Sequence, residues 1–153
     1  MSPKKLYSTL AKAEMVTWTL LLIAMVIKYT GITDLAVRFA GGIHGFVFLC
    51  YGAVTILLWI NNRWPAGRGV LGLFSTLIPY CTLPFERSVE KAGLIDGPWR
   101  FRDTTEQPRG FFEHILALIV RRPLIAVVVI LVLIVAVFLT LLSLGSPLEA
   151  LKN

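Results

Sequence analysis

Apolar side chains in this chain gather into four long runs, each closed by a polar or turn-forming cluster. A helix needs about 20 residues, rising 1.5 Å each, to cross about 30 Å of hydrocarbon, so each run predicts a transmembrane helix. The first, AEMVTWTLLLIAMVIKY, runs from about Ala13 to Tyr29 and is bracketed by Glu14 and Lys28. The second runs from Arg38 to Ile60 and ends at the polar NNRWP. The third, from about Gly69 to Phe85, carries Pro79 and Pro84 in TLIPYCTLPF. Proline lacks the N–H a helix needs, so this run is expected to kink or unwind near its end. The fourth, from Pro123 to Gly145, contains no charged residue.

Between the third and fourth runs lies the main polar stretch, Glu86 to Arg122. Its GLIDGPWRFRDTTEQPRG portion is dense in turn residues and charge and predicts an exposed loop. FFEHILALIVRR follows, with Phe112, Ile115, Leu116 and Ile119 at helical spacing, and predicts a short interfacial helix. The expected architecture is an all-α membrane protein with four transmembrane helices. Residues 1–95 form a three-helix core, 96–122 a polar loop with the amphipathic helix, and 123–145 the fourth helix. Without a small-residue cleavage pattern, the first run is expected to be retained as a helix.

Composition agrees with a membrane solvent: 56% of the 153 residues are hydrophobic and 16% charged, with mean hydropathy +0.75. Tyr29, Trp59, Trp64 and Phe111 sit where apolar runs meet charge, as an interfacial aromatic belt requires. A net charge of +6 would suggest nucleic acid in a soluble chain. Here Lys and Arg fall between apolar runs, so anionic headgroups and topology explain them and no nucleic-acid partner is expected. With four spans, nine basic residues against six favour an outside N-terminus, while the basic flank of the first helix opposes it, and the orientation stays open. Cys50 and Cys81 lie apart inside apolar runs and are expected to be inert thiols.

Candidate functional residues are the ionisable and small groups within the runs. Glu14, Trp18, Leu21, Met25 and Lys28 line one stripe of the first helix. An ionisable group in hydrocarbon costs a few kcal/mol unless paired, so partners should exist. Arg63, Arg68 or backbone amides are expected beside Glu14, and Arg38, His44 and Glu86 beside Lys28. Gly41, Gly45 and Gly52 make a GxxxG-type face on the second helix, where another backbone could approach closely, with His44 beside it. His44 is expected to make an interhelical hydrogen bond there, worth about 0.6 to 2 kcal/mol. A haem or metal role needs converging ligands, and the other histidine, His114, lies far along the chain. A proton relay with Glu14 is disfavoured because a first helix starting near Ala13 puts Glu14 toward the opposite membrane face. No nucleophile constellation, phosphate loop or HExxH pattern occurs, so neither catalysis nor a cofactor is expected.

The order AEMVTWTLLLIAMVIKY, GGIHGFVFLCYG, a basic tryptophan turn and IPYCTLPFERSVEKAGL resembles a family of small bacterial integral membrane proteins known only as a domain of unknown function. The resemblance covers about the first 95 residues. It rests on Glu14, Lys28, Gly41, His44, Gly45, Tyr51 and Pro79. Cys81 departs from it, standing where the third motif usually has glycine. The resemblance implies three core spans and, since similar chains occur in actinobacteria and bacilli, a multi-pass place in the bacterial plasma membrane. It supplies no activity.

The expected function is a non-catalytic accessory subunit of a larger plasma-membrane complex, with a respiratory cytochrome bc–cytochrome oxidase assembly as the host by analogy. Membrane lipids and other integral subunits would then be its partners. The alternative is a small oligomeric transporter or ion channel, motivated by the charged groups in the runs.

Overall fold

The computed structural model describes residues 2–102 and 106–143. Among them every regular element is helical. Helix α1 spans Pro3–Tyr29 and begins well before the apolar run because the local sequence is a good helix start. Ser2 caps it, its hydroxyl accepting from the Lys5 amide at 3.3 Å, and Pro3 occupies the first turn, where its missing N–H costs nothing. The added turns carry Tyr7 and Ala11 into the core, both fully buried. At 27 residues the helix is about 40 Å long.

Helix α2, Leu35–Asn61, returns antiparallel to α1 across the short turn holding Gly31 (φ 78°). Glycine reaches that left-handed conformation without a Cβ penalty. Lys28 Nζ and Asp34 Oδ1 lie 3.5 Å apart at this end. Lys28 thus pairs within its own turn, not with the Arg38, His44 and Glu86 expected beside it.

The third apolar run breaks, as its prolines require, and the break turns the chain back on itself. Helix α3 (Ala66–Phe74) leads through a 3-10 turn, Ser75–Leu77, to a tip around Pro79, and α4 (Thr82–Lys91) comes back. Near the open end, Arg68 Nη1 donates to Ser88 Oγ at 2.7 Å, and the Asn62 and Trp64 side chains both donate to the Leu94 carbonyl at 2.6 Å. At the tip, Tyr80 Oη lies 3.2 Å from Thr19 Oγ1, midway along α1, and Trp18 Nε1 donates to the Thr76 carbonyl at 3.3 Å. The segment therefore enters and leaves at one end of the bundle as a re-entrant hairpin. Broken backbone is tolerated at membrane depth where protein covers it; α1 meets one side of the break through Trp18 and Thr19, while Leu77, Ile78 and Tyr80 stay exposed. Tyr80 takes φ 65° at the turn, while Cys81 is right-handed at φ −75°, so this turn does not need a glycine at 81.

Close approach occurs at glycines of the GRGVLG stretch. A Cβ on Gly69 would overlap the Trp59 ring, and one on Gly72 would lie 2.9 Å from Thr55 Cγ2. The Trp59 ring cannot easily move aside, because its Nε1 donates to the Trp64 carbonyl at 3.0 Å.

The stretch after α4 is less exposed than its composition predicts. Ile95 and Phe101 are buried, Phe101 packing with Leu57, Ile60 and Leu116, and the Arg100 amide donates to Asn61 Oδ1 at 2.8 Å. Helix α5 (Gly110–Arg121) turns Leu116 and Ala117 inward and leaves Phe111, Phe112 and Ile115 exposed. Its buried face is thus rotated from the expected one because the Trp99–Phe101 segment claims the inner side. Helix α6, Pro123–Ser143, runs back beside α2, Phe138 reaching Gly42 and Gly45. Among the described residues, three helices are long and apolar enough to cross a membrane: α1, α2 and α6.

Candidate functional site

The inner surface between α1, α2 and the hairpin gathers polar groups. On α1, Tyr7, Ala11, Glu14 and Thr17 recur at helical spacing and are buried; on α2, His44, Tyr51, Thr55 and Leu58 do the same. Steps of three and four put each set on one face, and the antiparallel pairing brings the two faces together.

Glu14 is 0% exposed and His44 8%. His44 Nδ1 lies 3.2 Å from Glu14 Oε2 and 3.1 Å from Thr17 Oγ1. The Glu14–His44 contact is a close approach without the geometry of a directed hydrogen bond, and both carboxylate oxygens of Glu14 lack hydrogen-bond partners among the described residues. The Trp18 ring packs on the imidazole with centroids 4.4 Å apart, and Phe48 closes its other side at 6.3 Å.

From this pair a line of hydroxyls leads toward the end that carries Lys4 and Arg63. Tyr51 stands seven residues beyond His44 on the same buried face of α2, and its hydroxyl lies 2.6 Å from Tyr7 Oη and 3.4 Å from Ser75 Oγ. Thr55 donates to Tyr7 Oη at 3.4 Å. At the mouth, Lys4 Nζ bridges Glu90 at 2.8 Å and Asp96 at 3.4 Å.

The structure joins two residues that the sequence places apart. Glu14 meets His44, and neither Arg63 nor Arg68 is an ion-pair partner of Glu14. Because α1 starts at Pro3, Glu14 lies near its middle, level with His44, not at the far face. The glycines do not form one surface: Gly41 faces Leu21 and Gly45 faces Phe138, while a Cβ on Gly52 would meet nothing within 4 Å. His44 consequently meets side chains of α1 and does not sit against a close backbone crossing. Pro79 marks the hairpin tip. Tyr7, Thr55 and Ser75 escape the sequence reading, although the seven-residue steps Tyr7–Glu14 and His44–Tyr51–Leu58 carry the signal.

A second polar cluster lies outside the spans. Arg100 Nη2 is 2.6 Å from Glu106 Oε1 and 3.1 Å from Glu113 Oε1, and Arg63 Nη2 is 3.3 Å from Glu113. The Arg109 amide, donating to Glu113 at 2.8 Å, and the two guanidiniums hold the Glu113 carboxyl below its ordinary range. The Arg100 hydrogen bonds do the same for Glu106. No group of three His, Cys, Asp or Glu among the described residues could hold a metal.

Residues 4–91 match the model of the family described as Domain of unknown function (DUF3817). A Streptomyces coelicolor chain named for nothing more than its membrane location is 33% identical over 94 residues, 60% of this chain and 11% of that protein. The Bacillus subtilis membrane protein YdzA, described as uncharacterized, is 30% identical over 70 residues, 46% of this chain and 73% of its own length. The chain thus spans only a small part of the Streptomyces protein and most of the Bacillus one. No solved structure matches. With more than half of its length under the family model, this multi-pass membrane chain belongs to the DUF3817 family.

Proposed function

We propose that the chain is a non-catalytic accessory module that docks onto a larger plasma-membrane assembly. The observation that carries this is the Streptomyces relative, in which the matching region makes up 11% of a much longer membrane protein. A module built covalently into a larger chain in one organism can serve a complex as a separate subunit in another. The surface of α6 supports the reading: it is uncharged, and Leu124, Val128 and Val132 stand 83%, 60% and 61% exposed. Between membrane helices such a face gains energy from van der Waals fit.

The hairpin supports one orientation within this reading. With the third run entering and leaving at one end, every described Lys and Arg except Lys28 and Arg38 falls toward that end, and by the positive-inside rule it faces the cytoplasm. Affinity purification of the tagged protein from its native membrane in mild detergent, with mass spectrometry and a haem spectrum, tests the docking. Stoichiometric recovery of a membrane partner is expected, and cytochromes in it would make the host a respiratory complex. Recovery alone, as monomer or homo-oligomer, would overturn the reading.

The second reading, a small oligomeric transporter or channel, is favoured by the buried Glu14–His44 contact. It fails if the reconstituted protein is impermeable to protons and cations.

A further inference from the structure

We propose that Glu14 and His44 form a proton-binding site inside the membrane, loaded from the basic end of the bundle through the hydroxyls of Tyr7, Tyr51 and Ser75. The idea goes beyond docking, since an accessory module needs no such site.

Three features carry it. The first is the carboxylate, fully buried and without a hydrogen-bond partner. A buried charge in that state costs several kcal/mol unless compensated, so the Glu14–His44 pair is far better off with one proton shared between them than with Glu14 ionised beside a neutral imidazole. The second is the absence of competing charge. The groups that touch the pair are Thr17 and Trp18 of α1 and Phe48 of α2, and behind them Trp18 meets Thr76 and Tyr51 meets Ser75 of the hairpin, all uncharged; Glu86 of α4 is the other buried carboxylate among the described residues. Among the described residues no Lys or Arg pairs with Glu14, and α6 carries no ionisable group. The third is asymmetry of access. Toward the Lys4 end the hydroxyls succeed one another at 2.6 and 3.4 Å. Toward the Lys28 end, Trp18 packs on the imidazole and Leu21 on Gly41, leaving apolar helix.

In the step itself, hydronium at the basic end gives up one proton and becomes water. Each hydroxyl accepts a proton on one side and releases one on the other, and the last reaches a Glu14 carboxylate oxygen or His44 Nδ1. The pair goes from a net charge of −1 to zero, and no group is oxidised or reduced.

Infrared difference spectroscopy of the full chain, inserted in one direction in phosphatidylcholine vesicles, tests this. The expected result is a carboxylic-acid absorption that is missing in Glu14→Gln and that follows the pH of the compartment facing the Lys4 end alone. Tyr51→Phe should slow its response by about tenfold, equivalent to about 1.4 kcal/mol of barrier; if that variant does not fold, Ser75→Ala serves in its place. The proposal is overturned if the absorption ignores pH on both sides, if it responds equally from the Lys28 side, or if the folded relay variant responds at the wild-type rate.

Discussion

The seam between α1 and α2 and the outer face of α6 lie in the same solvent and are built on opposite rules. The seam holds Glu14, Thr17, His44, Tyr51 and Thr55; α6 turns Val, Leu and Ile outward. In water the arrangement would be reversed, because burial of apolar area drives folding there. In hydrocarbon an apolar side chain gains little by moving inward, while a polar one gains a partner. The polar seam therefore specifies how α1, α2 and the hairpin meet, and α6 is attached by shape alone.

The sharpest way to break this contrast is to disturb the packing that the seam depends on. Gly69→Ala pushes a methyl into the Trp59 ring and should lower stability by about 1 to 3 kcal/mol, measured by melting in detergent. Gly52→Ala, where a Cβ meets nothing, should hold or slightly raise stability through helix propensity. Equal melting of the two would show that α3 is not held as described.

His44→Phe should come next. It leaves Glu14 without the imidazole and should cost about 1 to 3 kcal/mol, well beyond the cost of Cys50→Ala in the same melting assay. A smaller effect belongs to the exposed cluster around Arg100. Glu106 and Glu113 have carboxyls held below their ordinary range, so their contribution is complete above the unfolded carboxylate range. It is lost as pH falls through the lowered folded values. Acidification below the ordinary glutamate range should raise hydrogen exchange in Trp99–Phe101 before it touches α1 or α2, and Arg100→Ala should remove that pH dependence. The smallest effect is expected on α6: Val128→Leu, on its exposed face, should change the melting of the isolated protein by less than about 0.5 kcal/mol.

The apolar runs for α2 and α6 were readable from the sequence because each is long and uninterrupted, and Pro79 announced the break in the third. Two things were not readable. Lys4, Lys5 and Lys12 make the first turns of α1 look like a polar tail, so the helix seemed to start at Ala13 and Glu14 fell at the wrong depth. One misplaced start separated Glu14 from His44. The fold-back of the third run was also hidden, because hydropathy measures how apolar a segment is and not whether its two ends share a side. The Trp64 and Asn62 hydrogen bonds to Leu94 that decide this are long-range and leave no periodic trace.

The re-entrant hairpin also has a consequence for biogenesis. Its tip interrupts the backbone ladder around Ile78 and Tyr80, and a segment so interrupted cannot rest alone in lipid during synthesis. Helices α1 and α2 emerge first and can insert as a stable antiparallel pair, which then supplies Trp18 and Thr19 as the surface on which the hairpin folds. Assembly of this protein should accordingly proceed in order along the chain, with the third apolar run maturing only after the first two have found each other.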